Sequence, residues 1–251
     1  MLFRSLGKVD RLGWRQAVLV GLGFLVAPEA RAITIDDWTV EQTTTVSSPA
    51  SSASTVATGA GMLGGEREIS VTRASGPLVT MSASSGSLAY GQIAGALGTG
   101  SVIWDGVDGG GSLDPIGLGG VDFTDGATSA AISIPLLFSD LPGVLRLTAY
   151  TDGANASRAT VVLPGSIPPN PQSVLTVLFS SFSILAGSGA DFSNIGAFVL
   201  EVDGSSQAGL DLETGAIQTV ETPELQTAFL LGVGLMGLSL RARRRAARTR
   251  R

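Results

Sequence analysis

Five aspartates crowd into two short stretches, WDGVDGGGSLD (Asp105, Asp108, Asp114) and VDFTDG (Asp122, Asp125). Calcium takes about 6–8 hard oxygen ligands, and Asp-Gly loops on a β-sandwich can supply several of them. Neither stretch has the D-x-[DN]-x-[DN]-G spacing closed by a glutamate, and Asp-Gly is also a plain turn dipeptide. Ordinary turns are the simpler reading, structural calcium is the alternative, and no other cofactor is expected.

Glycoside hydrolysis needs only two carboxylates. Glu66, Glu68, Glu201 and Glu213 lie in alternating segments, where their positions read as solvent-facing charge. The chain has no histidine and no cysteine, which removes imidazole bases, thiol nucleophiles, disulfides and Cys/His metal sites. Its serines have no base to activate them and no G-x-S-x-G elbow. Sugar binding would use aromatic platforms. With aromatic content at 6%, most rings are needed for packing, and Trp104 and Tyr150 are the two candidates for glycan contact. Core or edge packing is the commoner role for each.

The segments that carry these residues alternate with period two, the pattern of strands with one buried face. EISVT sets Ile69 and Val71 against Glu68, Ser70 and Thr72. VLRLTAY, AFVLEVDG and LDLE repeat the pattern around Leu147, Leu200 and Leu212. AISIPLLF and SVLTVLFSSF are apolar on both faces and suit central strands. Asp-Gly and Pro-Gly dipeptides punctuate the runs. Roughly ten short strands in one domain, residues 33–221, predict an all-β antiparallel sandwich or jelly roll. TTTVSSPASSASTVATG (residues 43–59) predicts a low-complexity loop, and PGSIPPNPQS a stiff extended connection.

Charge is strongly partitioned. Residues 33–221 hold eighteen acidic side chains against four arginines, Arg67, Arg73, Arg146 and Arg158, and so repel nucleic acid. At the start, Arg4, Lys8, Arg11 and Arg15 precede a short apolar run, and Ala30-Arg31-Ala32 offers an A-x-A site. That order predicts a signal peptide over residues 1–32, cleaved after Ala32 by signal peptidase, with Ala30 and Ala32 as the small residues at −3 and −1. At the end, residues 225–240 are uncharged and mostly apolar and as a helix would cover about 24 Å. Arg241, Arg243, Arg244 and Arg245 follow as a stop cluster held on the cytoplasmic side. A simple membrane anchor would fit the same layout.

Thr222-Pro223-Glu224, a glycine-punctuated apolar helix and a terminal arginine cluster together resemble the PEP-CTERM sorting signal of Gram-negative bacteria. The usual Pro-Glu-Pro reads Pro223-Glu224-Leu225 here. The resemblance covers residues 222–251 and implies processing by an exosortase after passage through the export machinery. It also implies delivery to the envelope, outer surface or extracellular matrix, in the company of exopolysaccharide. Residues 175–204 (LTVLFSSF … ADFSNIGAFVLEVDG) resemble the closing strands of galactose-binding-like jelly rolls, which implies a fold and no function. The expected molecule is therefore a β-sandwich flanked by a signal helix and a transmembrane-like helix. Its expected work is non-enzymatic and structural or adhesive within an exopolysaccharide matrix. A carbohydrate-binding module is the second reading and a carboxylate glycosidase the third.

Overall fold

The computed structural model describes residues 32–167 and 173–221. The signal segment with Ala30, the sorting motif Thr222-Pro223-Glu224 and the Arg241, Arg243, Arg244 and Arg245 cluster lie outside the described residues. So does the middle of the proline-rich connection, residues 168–172. Among the described residues no helix is long and apolar enough to cross a membrane.

Alternation of inward and outward side chains produces fifteen strands. They are β1 (Thr34–Asp36), β2 (Gln42–Ser47), β3 (Ser52–Thr58), β4 (Glu66–Ser75), β5 (Leu78–Ser84), β6 (Ser87–Gln92), β7 (Leu97–Trp104) and β8 (Ala131–Ser139). Then come β9 (Gly143–Tyr150), β10 (Ala156–Leu163), β11 (Ser173–Leu178), β12 (Ser183–Ala186), β13 (Ala197–Asp203), β14 (Asp211–Thr214) and β15 (Ile217–Val220). They pair into an eight-stranded sheet, β1-β15-β8-β14-β6-β5-β2 with β11 also on β8, and a seven-stranded sheet, β12-β10-β9-β13-β7-β4-β3. The described fold is the expected all-β sandwich. Chain crossings from β2 to β3 and from β11 to β12 join the two sheets at their edges.

The inner faces form one core. Ile69, Val102, Leu147, Phe198 and Leu200 of the seven-stranded sheet meet Val79, Met81, Ile132, Ile134 and Leu212 of the other. Burying each such side chain stabilises by about 1.5–3 kcal/mol. The sheets close tightly at Gly100 of β7, where a Cβ would stand 2.6 Å from Met81 Cε and 2.9 Å from Tyr90 Cδ2. A row of rings continues the core, with Trp38 5.8 Å from Trp104, Trp104 5.9 Å from Phe198 and Phe198 5.5 Å from Phe123.

The structure corrects three expectations. Residues 43–59 are not a loop: they hold most of β2 and all of β3. The inward residues of β2 are Gln42, Thr44 and Val46, so polar side chains conceal a regular inside–outside alternation. They can be buried because they are bonded. Thr44 Oγ1 lies 2.5 Å from Thr55 Oγ1, and Gln42 Nε2 donates to Thr55 O at 2.8 Å.

SVLTVLFSSF is not a central strand either. Its first half is β11, an edge strand with Val174 and Leu178 exposed, and Phe179–Ser181 is a 3-10 turn. Its phenylalanines cap the core edge instead, Phe179 stacking on Phe192 at 4.4 Å. Thirdly, Glu66 and Glu68 do not face solvent. They are 3% and 6% exposed because the segment after β7 folds over them, and Glu66 Oε1 accepts the Gly109 amide at 2.9 Å.

Candidate functional site

Trp104 and Tyr150 are not brought together. Trp104 pairs with Phe198 across β7 and β13 with its ring facing the core, wholly buried, so it takes the packing role and presents nothing to a glycan. Its Nε1 donates to Asp36 Oδ2 at 2.8 Å. Tyr150 ends β9 one register step further on, half-buried beside Ala197 and Ala156 on the other face of the same sheet.

The aspartates serve turns. Asp122 accepts the Thr124 hydroxyl and the amides of Gly126 and Thr124, the amides at 2.9 and 2.8 Å, and the hydroxyl first, then the Gly126 amide, hold its carboxyl below the usual range. Asp105 Oδ2 accepts the Asp114 amide at 2.7 Å, and Asp108 Oδ1 accepts the Gly110 amide at the same distance. Among the described residues no three acidic side chains converge closely enough to hold a metal ion. Burial, then the charges of Asp105 and Asp108, push the Glu68 carboxyl up. Burial, opposed by the Asp114 amide and reinforced by Asp108, does the same to Asp105.

Among the described residues, a concave feature lies on the outer face of the eight-stranded sheet. Register places Thr45, Thr80, Gly91 and Asp211 in one row across β2, β5, β6 and β14. The next row is Thr43, Ser82, Ala89, Glu213 and Phe138. The outward residues of β6 are thus the smallest, and adjacent strands stand only about 4.8 Å apart. A trough results, floored by Ala89 and Gly91, with hydroxyls on one bank and Asp211, Glu213 and Phe138 on the other. It holds two adjoining hollows of about 210 and 330 Å³ that share Thr80, Gly91 and Asp211, the second reaching Leu78 and Ile93.

Inward residues of the same strand set the trough's shape. Gln92 Nε2 donates to Tyr90 Oη at 2.7 Å and to Gly204 O at 3.0 Å, while Gln92 Oε1 accepts the amides of Gly209 and Leu210 at 3.1 and 3.3 Å. These bonds tie the β13–β14 connection to β6 and so fix where Asp211 begins the bank. Burial pushes the Tyr90 hydroxyl up to about 12, leaving it a neutral partner for Gln92. Asp211 Oδ1 accepts the Gln92 amide at 3.3 Å, and the Asp211 amide donates to Asp140 Oδ1 at 2.8 Å. Burial, and then the Asp140 charge, raise the Asp211 carboxyl.

No protein-family model matches the chain, and none of the curated proteins matches it. Among solved structures it is similar to the family 11 carbohydrate-binding module of the cellulosomal cellulase Lic26A-Cel5E of Clostridium thermocellum. Identity is 11%, coverage is 77% of this chain and 96% of that one, and the TM-score is 0.37. A Clostridium thermocellum family 11 module in complex with a β-1,3-1,4-mixed-linked tetrasaccharide is similar at 11% identity, over 72% and 96%, with a TM-score of 0.33. TmCBM61 in complex with β-1,4-galactotriose is similar at 7% identity, over 72% and 88%, with a TM-score of 0.31. At these values no residue of the trough is carried across from them.

Asp211 and Glu213 sit two residues apart on one strand, hence on the same bank. A glycosidase instead needs carboxylates flanking the scissile bond from two sides. The arrangement suits holding an extended ligand by hydroxyl, carboxylate and ring contacts. Sequence reasoning picked out Glu213 as an outward strand residue but missed the trough. Its signal was the small outward pair Ala89 and Gly91 in SLAYGQ.

Proposed function

We propose that the protein is an exported, non-catalytic β-sandwich of the cell envelope or its surrounding matrix that grips an extended polysaccharide in the trough on its eight-stranded sheet. The observation that carries this reading is the small-residue floor of Ala89 and Gly91 between a hydroxyl bank and a bank of Asp211, Glu213 and Phe138. Polar hydrogen-bonding groups beside an aromatic ring match the alternating hydroxyl and C–H surfaces of a sugar chain. The sorting tail supports export. β1 and β15 pair with each other, so the two chain ends leave side by side. They leave near Ala131 of β8, about 23 Å along that strand from Phe138 at the trough. An anchored or attached sandwich would keep its trough clear of the attachment point.

A glycan array with the purified protein tests the reading, using Gly91→Leu as the blocked form. A Cβ at Gly91 meets Asp211 Oδ1 at 3.1 Å and Thr80 Cγ2 at 3.5 Å, so the longer side chain fills the trough without entering the core. Saturable binding by the wild type, lost in Gly91→Leu at unchanged melting temperature, is the expected result. Undiminished binding by a folded Gly91→Leu protein rules the trough out. Mass spectrometry of the native protein checks export, with Ile33 as the expected new N-terminus.

A further inference from the structure

The trough's charge is one-sided. Apart from the neutral, inward Tyr90, the ionisable residues lining it are the acids Asp211 and Glu213, and Asp140 Oδ1 accepts the Asp211 amide. None of the four arginines in residues 33–221 reaches it. Arg67 is buried against Asp36, and Arg73 donates to the carbonyls of Ala50 and Gly76. Arg146 is held by Glu201 and Asp203 on the opposite sheet, and Arg158 donates to Thr148 Oγ1 there. The only lysine of the chain is Lys8. The Glu213 side chain makes no hydrogen bond or ion pair among the described residues, and it neighbours the half-buried ring of Phe138 in the register. The bank therefore offers a carboxylate with no internal counter-charge beside an apolar surface, next to a floor of only a methyl group and a glycine. An ammonium group on a sugar supplies the missing charge. A uronate or sulfate on a sugar would meet two carboxylates and no cation.

We propose that the trough selects its polysaccharide by charge, taking a chain that carries free amino groups and rejecting polyanionic ones. This rests on the glycan-binding reading and adds the ligand's class to it.

The test uses the full-length protein and four probes: the hexamers of glucosamine, N-acetylglucosamine, glucose (β-1,4) and galacturonic acid. Calorimetry is run at low salt and again at about 0.5 M, where the Debye length falls below about 5 Å. The glucosamine hexamer binds on the order of 10-fold tighter than its acetylated form at low salt, as expected for two solvent-facing ion pairs. The advantage shrinks at high salt, and the galacturonate hexamer does not bind. Glu213→Gln, whose side chain holds nothing in the fold, cuts the difference between the two glucosamine hexamers to about 3-fold, the share left to Asp211. Glu201→Gln on the opposite sheet, which removes the same charge elsewhere, leaves that difference in place.

Equal binding of the amino and acetylated hexamers, or binding of the galacturonate hexamer, overturns charge selection while the trough remains a glycan site. If none of the four probes binds, both charge selection and the glycan reading fall.

Discussion

Asp36 and Arg67 form an ion pair sealed inside the sandwich, with Arg67 Nη1 2.9 Å from Asp36 Oδ1 and 3.0 Å from Oδ2. Neither side chain reaches solvent. Arg67 also donates to Gln42 Oε1 at 2.7 Å and Val40 O at 2.8 Å and lies over the Trp38 ring, while Asp36 accepts Trp104 Nε1 and the Trp38 amide. One pair thus links β1, β2, β4 and β7 across both sheets. Burial pushes the Asp36 carboxyl up against the pull of Arg67. Hence the cluster holds together only when complete.

Replacing one partner leaves the other charged and buried. Arg67→Met and Asp36→Asn are each expected to cost about 3–5 kcal/mol, read as a fall in the urea midpoint at unchanged slope. The double substitution Asp36→Leu with Arg67→Met recovers part of that loss. Equal losses for the single and double variants would show that the charges are not coupled.

Trp104 is a packing residue with a polar tie. Trp104→Ala is expected to destabilise by about 3–5 kcal/mol, from the lost ring and the cavity it leaves. Trp104→Phe keeps most of the packing but removes one of the two donors to Asp36 Oδ2, leaving Arg67 Nη1 there, and costs about 1–3 kcal/mol. The fraction that stays folded binds glycan as the wild type does. Equilibrium unfolding and binding measured on the same samples separate the two effects.

Thr214 faces the core from β14 with its hydroxyl unpartnered among the described residues, and the residue is 1% exposed. Thr214→Val keeps the shape and removes a buried polar group without a bond. It is expected to raise stability by about 1 kcal/mol. A clear loss in thermal unfolding would reveal a partner for that hydroxyl.

Stability depends on pH in two opposed ways. Glu68 and Asp105 are raised, so the native state holds protons that the unfolded chain releases from about pH 4 upward. Stability therefore falls as pH climbs from there through their folded values. Asp122, Asp152 and Asp191 are lowered by turn hydrogen bonds, so their contribution is present above about pH 4 and lost as pH drops further. The melting temperature should peak in mild acid, and Glu68→Gln should flatten its decline on the neutral side. A melting temperature that rises from pH 5 to 7 would contradict the buried placement of Glu68.

Much of the architecture was legible in the chain. Alternation in EISVT, VLRLTAY and AFVLEVDG marked β4, β9 and β13 because an apolar residue every second position needs only a sheet to bury it. Turn dipeptides bounded those strands, and the apolar AISIPLLF proved to be the central β8. β2 escaped because its hidden Gln42 and Thr44 are polar and bonded to Thr55, and β3 because none of its side chains is fully buried. Glu66 and Glu68 were misplaced because alternation tells which face a residue shares, but not whether a later loop will cover that face.

By itself the sequence determined the all-β class, the turns, the absence of thiol and imidazole chemistry, and the partition of charge between ends and middle. These follow from residue type and local spacing. Only the tertiary structure decided that Arg67 is interior, that Trp104 is shut away from any ligand, and that Ala89 and Gly91 form the floor of a trough. Each of those outcomes depends on partners far along the chain. Asp36 stands 31 positions from Arg67 and 68 from Trp104, and Asp211 stands 119 from Gln92. A buried charge or a hollow exists only where such distant strands meet in register.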